Sequence, residues 1–323
     1  MPWWRQSRPD PLLAGAMSAA ARLVLVAAAV RWCHGATEGA GELHPAQITV
    51  LIQNTRKIPE LVKLDAAKGH MFNAIHLSVY WNRVKMLAGT PRSLERRALY
   101  RHAEALRPAC DRTRAAVLGP PGLHARGVAM IAHSFARAGL HRGEPWELVW
   151  SALPKAARDK MSDFNSQELA NIAWAFATAG RDAPELFEAL AMEASTRIGS
   201  FLPQELSNTA WAFATAGQRA TALFDTLASE CVRRVAEFNS QELANTVWAF
   251  ASAQHKSPEL FSAIARESRD RLGEFTSQEL AITARSFATL ATANKRESKE
   301  LFAGLAVEVY PPLTPLRPPP TPL

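Results

Sequence analysis

The sequence predicts an all-α fold, an α-solenoid of stacked two-helix repeats with a period of 37 residues. Three observations predict it. The tripeptide Gln-Glu-Leu returns at 167–169, 204–206, 241–243 and 278–280, a constant step of 37. Around each copy the apolar residues recur at helical spacing. Period-2 alternation of useful length is absent, so strands are not expected. With 323 residues, 48% of them hydrophobic and 21% charged, the chain has material for a sizeable core. That balance excludes wholesale disorder, a coiled-coil rod and a collagen-like fibre. Cys33, Cys110 and Cys231 are far apart and form no CxxC, which argues against a disulfide scaffold or a cysteine zinc site.

Taken in order, residues 1–40 read as a targeting or disordered N-terminus. Arg5, Arg8, Arg22 and Arg31 face a single acid, Asp10, before residue 38, in an Ala-rich stretch. This pattern resembles an organellar transit peptide, while Leu23–Val30 after Met17 reads alternatively as a short secretory core. Arg22 interrupts the apolar run, so no membrane span is expected. Residues 41–118 read as an N-terminal helical region, in which Phe72-Asn73 followed by IHLSVYWNRVKML is a weak relative of the later blocks. GPPG at 119–122 marks a break before the array, placed at 123–310.

Within the array the blocks read FNSQELANIAWAFATAG from Phe164, FLPQELSNTAWAFATAG from Phe201, FNSQELANTVWAFASAQ from Phe238 and FTSQELAITARSFATLA from Phe275. Asn165, Asn239 and Thr276 stand at the N-cap with Glu168, Glu242 and Glu279 three residues on, the capping-box spacing. The second block places Leu202 there, followed by Pro203, whose missing N–H costs nothing at a helix start. The Phe before each cap is poised to staple onto Leu169, Leu206, Leu243 and Leu280. Gly180 and Gly217 are expected as left-handed C-caps. A second helix opens near Pro184, Thr221 and Pro258. Its apolar stripe is Leu186, Phe187, Leu190 and Ile198, then Leu223, Phe224, Leu227 and Val235, then Leu260, Phe261, Ile264 and Leu272. A degenerate copy precedes these, with HSFARAG ending at Gly139 and PWELVW at 145–150 as its partner. Another restarts at Leu301-Phe302, and seven prolines from Pro311 onward make residues 311–323 an extended tail.

Candidate binding residues follow from the register. Gln167, Asn171, Trp174 and Thr178 share one stripe of the first helix, as do Gln204, Asn208, Trp211, Thr215 and Gln241, Asn245, Trp248, Ser252. Amides beside aromatic rings can hydrogen-bond and stack unpaired bases. Alternatively the Trp rings fill seams between helices and the amides satisfy backbone groups, the reading that weighs more for Trp. These residues hardly vary between units, whereas a base-reading code needs variation, so they read rather as scaffolding for the array or as contacts to the RNA backbone. The fourth unit substitutes Ile282 and Arg285, and Arg285 offers a phosphate contact.

Charge is uneven. Residues 41–160 carry 19 basic against 9 acidic groups, whereas 161–310 carry 13 against 19. The basic excess includes Arg92, Arg96, Arg97 and Arg101, with Arg83, Lys85, Arg107, Arg112 and Arg114 nearby. Such a cluster either tracks phosphates or forms a solvated face. Arg233, Arg234, Arg266, Arg269 and Arg271 lie among acids and read as solvated. No nucleotide, esterase or zinc-protease motif occurs, His70 and His76 lack ligand spacing, and Glu297-x-Lys299 reads as a solvated charge run. No catalysis, cofactor or metal is expected.

The phrase QELANxxWAFAxxG and its step of 37 resemble octotricopeptide-type helical repeats and the leucine-rich helical region of FAST-kinase-domain and RAP-domain proteins. The resemblance covers roughly 161–310 well and 46–160 weakly. It implies an organellar RNA-binding factor, mitochondrial (matrix) or alternatively plastid, acting in RNA processing, stability or ribosome assembly. Single-stranded organellar RNA and other ribonucleoprotein components are the implied partners. It also implies that the helices from Gln-Glu-Leu to Trp-Ala-Phe carry the RNA contacts. Prolines stand where a RAP domain would follow, so nuclease-like activity is not implied. A protein-interaction scaffold of the same architecture is the alternative.

Overall fold

The computed structural model describes residues 43–89, 92–120 and 122–290. The expected targeting segment, the restart at Leu301-Phe302, Glu297-x-Lys299 and the proline tail lie outside the described residues. Among the described residues the regular elements are all helices or 3-10 turns, and there is no strand. The chain divides into two compact units, residues 1–123 with 142–149, and residues 124–141 with 150–323.

The first unit contains α1 (Pro45–Asn54), α2 (Ile58–Lys68), α3 (Ala74–Ala88), α4 (Leu94–Arg101) and α5 (Ala103–Leu118). Helix α1 packs on α3, and α2 packs on α3, α4 and α5. The head of α3 matches the later blocks as expected. A 3-10 turn at Gly69–Met71 leads through buried Phe72 to the N-cap Asn73. There the Asn73 side chain accepts from the His76 N–H at 3.0 Å, and His76 Nδ1 accepts in return from the Asn73 N–H at 3.2 Å. Trp81 is fully buried, donates to Thr113 Oγ1 at 2.7 Å and meets Trp146 edge-on. Asp65 on α2, also buried, is held by the guanidinium of Arg112 on α5.

The second unit opens with α6 (Ala125–Ala138); the short helix α7 (Glu147–Trp150) belongs to the first unit up to Val149, and the second unit resumes at Trp150 with α8 (Leu153–Arg158). Three helix pairs follow, α9 (Ser166–Ala179) with α10 (Pro184–Arg197), α11 (Pro203–Thr215) with α12 (Thr221–Arg233), and α13 (Ser240–Ser252) with α14 (Pro258–Asp270). Helix α15 (Ser277–Leu290) begins a fourth. First helices pack serially, α6 on α9, α9 on α11, α11 on α13, α13 on α15, while α8, α10, α12 and α14 form a second layer in the same order. This serial two-layer packing is compatible with the expected solenoid.

The caps form as the spacing demands. Asn165 and Asn239 accept from the N–H of Glu168 and Glu242 at 2.8 and 2.9 Å, and both carboxylates return to the cap N–H. Thr276 and Glu279 do the same at 3.3 and 2.8 Å. Leu202 has no acceptor to offer, yet Glu205 still reaches its N–H at 2.9 Å. Phe164, Phe201 and Phe238 before the caps are at most 2% exposed, and Phe275 is 8%.

One expectation needs correction. Ile198, Val235 and Leu272 are not in the second helices but open 3-10 turns at Ile198–Ser200, Val235–Glu237 and Leu272–Glu274. A 3-10 turn keeps the chain winding in the same sense, so the sequence stripe runs on unbroken past the helix end.

Aromatic pairs tie the layers across repeats. Phe187, Phe224 and Phe261 of the second helices meet Phe213, Phe250 and Phe287 of the next first helices, with centroids 5.1, 5.0 and 5.3 Å apart and rings nearly perpendicular. Trp150 meets Phe176 in the same way at 5.3 Å, so PWELVW does supply the first member of this series.

Helix ends differ at one position. Gly180 and Gly217 take left-handed backbone, φ 60° and 66°, and the next N–H closes onto Phe176 or Phe213. The third copy has Gln254 there at φ 53°, a conformation that costs a side chain about 1 kcal/mol. Gln254→Gly is expected to stabilise the chain by about 0.5–1 kcal/mol, read as a raised thermal midpoint. No gain would mean that Gln254 is held by contacts worth as much as the strain.

Candidate functional site

The recurring polar residues of the second unit divide into those the fold employs and those it leaves unpaired. Employed first are the capping Asn and Glu residues above. Next come Arg197, Arg234 and Arg271, each at the end of a second helix, whose Nη1 donates to the carbonyls of Phe164, Phe201 and Phe238 at 2.6, 2.6 and 2.8 Å. Each guanidinium also pairs with the carboxylate one turn back, Glu193, Glu230 or Glu267. Glu237 and Glu274 complete the last two clamps and hold the Arg234 and Arg271 guanidinium pKa above its ordinary value. Arg234 and Arg271 were expected on a solvated face, but their side chains are only 12% and 24% exposed. The reason is tertiary: each reaches 33 residues back to an otherwise unpaired carbonyl.

The unpaired set is the stripe. Gln167 and Gln204 are exposed, and Gln241 is half-buried. Asn171 and Asn208, one turn on, are half-buried, and Asn245 is 3% exposed. The side-chain amides of these six residues make no hydrogen bond among the described residues. Helices α9 and α11 thus present the same pair of amides at one turn's separation, while in α13 the Asn245 of the pair is buried. Burial pushes the Glu242 carboxyl pKa up, its bonds with Asn239 offsetting this only in part.

The tryptophans lie differently. Trp174 and Trp211 are 8% and 5% exposed, and Trp248 is half-buried. Trp174 stacks on Trp211 with centroids 6.5 Å apart, and Trp211 on Trp248 at 6.2 Å. His133 of α6 meets Trp174 at 5.2 Å and so extends the row. These rings fill the seams between successive first helices, and their faces are spent on one another. Stacking of bases on Trp174 or Trp211, one of the two readings of the stripe, is therefore not what this geometry offers. Arg285 of α15 takes the Trp place in the fourth copy and is exposed.

The acidic total of this region does not fall on the stripe. Glu168, Glu205, Glu242 and Glu279 are in caps and Glu193, Glu230, Glu237, Glu267 and Glu274 in clamps, while Glu185, Glu188, Asp225, Glu259 and Asp270 lie on second helices. Gln, Asn, Trp and Thr or Ser leave the stripe of α9, α11 and α13 electrically neutral.

The arginine cluster belongs to the first unit, and several members have structural partners there. Arg83 Nε donates to the Thr55 carbonyl at 2.8 Å. Arg107 pairs with Glu104 and Glu144, both at 3.2 Å, and Arg112 holds Asp65. Arg97 and Arg101 on α4, Arg92 before it and Arg114 on α5 are exposed and form no ion pair among the described residues, and Arg96 is half-buried. The structure therefore separates four outward cations from the three that brace helices.

Sequence reasoning missed the arginine clamp, the inter-repeat aromatic pairs and His133. A signal for the first existed, since Arg197, Arg234 and Arg271 keep the step of 37. No group of His, Cys, Asp and Glu suited to a metal ion occurs among the described residues, and no described helix is long and apolar enough to cross a membrane. No protein-family model matches the chain, and no curated protein matches it either.

Proposed function

We propose that the chain is a non-catalytic RNA-binding helical-repeat protein that acts in organellar RNA processing, stability or ribosome assembly. One observation carries the reading: amides that the fold leaves unpaired recur at the same place on successive first helices. Helix-borne amides aligned along a stack match the edges of unstacked bases in a single strand. In the first unit, described by itself, the exposed Arg92, Arg97, Arg101 and Arg114 are suited to phosphate contacts. The resemblance of the QELANxxWAFAxxG phrase to organellar RNA-binding repeats agrees with this, as does the basic, acid-poor stretch before residue 38. Import into the mitochondrial matrix is the favoured destination, a plastid the alternative.

The test is a salt titration of RNA affinity. The double variant Arg97→Ala, Arg101→Ala is expected to weaken binding and to flatten the salt dependence by about 1.4 in log–log slope, two single-strand phosphate contacts' worth. Binding unchanged in this variant removes α4 from the interface. Absence of RNA affinity at low salt ends the reading. A second reading, a protein scaffold, is favoured by the neutrality of the stripe, since amides also bracket the backbone of an extended peptide. Saturable binding of neutral extended peptides without RNA affinity would establish it.

A further inference from the structure

The recurring amides also indicate which RNA suits this face, an inference that rests on the RNA reading above. Across α9, α11 and α13 the face repeats its chemistry: Gln167, Gln204 and Gln241 open each station, and Asn171, Asn208 and Asn245 follow one turn on. Helical repeats that read one base each distinguish bases by changing side chains from unit to unit. Stations with the same side chains select the same base. Ring stacking contributes no selection here, because Trp174, Trp211 and Trp248 turn their faces toward one another.

The amide chemistry names the base. A primary amide offers an N–H donor beside a carbonyl acceptor in one plane. Adenine presents the complementary pair on one edge, the N7 acceptor and the N6 amino donor, and Asn and Gln are its bidentate partners. The series stops at α15, where Ile282 replaces the Asn and Arg285 the Trp. We propose that this face binds adjacent adenines in single-stranded RNA, one at each of the α9 and α11 stations, where Gln167 and Gln204 are exposed and Asn171 and Asn208 half-buried, in preference to mixed sequences or other homopolymers.

The test uses the full chain at physiological salt with short oligoadenylate, oligouridylate, oligocytidylate and an alternating adenine–cytosine strand of equal length. Fluorescence anisotropy is expected to show oligoadenylate bound about tenfold or more tighter than the others. The variant Asn171→Ile, Asn208→Ile is expected to abolish this preference. It copies Ile282, which the fourth copy already accommodates at the same place, and circular dichroism checks that the fold persists. The pair Gln167→Ala, Gln204→Ala gives the same readout at exposed positions outside the core. Equal affinity for all strands, preference for another homopolymer, or a preference that both variants keep overturns the inference and leaves the RNA reading standing. Failure of every strand to bind at low salt overturns the RNA reading itself.

Discussion

Replacing Phe213 by alanine is expected to cost about 3–5 kcal/mol and to change the form of the unfolding transition as well as its midpoint. The ring is 1% exposed in the centre of the stack. It belongs to α11 but meets Phe187 of α10 edge-on, with centroids 5.1 Å apart, so truncation removes both buried area and a link between repeats. In a serial array stability is the sum of repeat terms and nearest-neighbour terms, and a weakened central link uncouples the two sides. Guanidinium unfolding followed by circular dichroism should show a lower midpoint and a broadened or two-step transition. A uniform shift with unchanged steepness would mean that the stack unfolds as one block despite its serial contacts.

The second large effect is in the first unit. Arg112→Ala is expected to cost about 3 kcal/mol at neutral pH, because it strands the Asp65 carboxylate, whose side chain is 2% exposed. The value is placed at the low end because the Arg112 side chain keeps 28% of its exposure and water screens part of the pair. Burial raises the Asp65 pKa, while the bond and charge of Arg112 lower it, and the net shift is upward from 3.8. A raised folded-state value means stability that is present below the unfolded value and lost as pH climbs through the folded one. Removing Arg112 deletes both lowering influences and widens that window upward. The deficit of Arg112→Ala should therefore be smallest at acid pH, where Asp65 is protonated in both states, and largest at neutral pH. Adding Asp65→Asn should recover much of the loss at neutral pH, since the buried group no longer ionises. A deficit independent of pH and not relieved by Asp65→Asn would assign it to lost packing of the arginine stem instead.

The contrast between these positions shows which features were legible in the sequence. Asn165 with Glu168, or Pro184 at a helix start, declares itself because cap chemistry acts over three or four residues. Arg234 looked solvated because its neighbours in sequence are acids. Its burial depends on a carbonyl 33 residues away. Trp211 and Asn208 share one stripe, yet the sequence leaves open which of them faces outward. Packing decides, since Trp gains more from leaving water and finds a like ring on each side.

By itself, then, the chain's order of residues determined helix content, starts and ends, and the step at which they recur, because hydrogen bonds within a turn and apolar spacing are local. Only the tertiary structure decided which repeated side chains are consumed and which remain available. Gln204 and Asn208 stay unpaired while Arg234 and Trp211 are absorbed, because an absorbed group needs a carbonyl or ring supplied by the neighbouring repeat. Such partners exist only after the repeats have stacked.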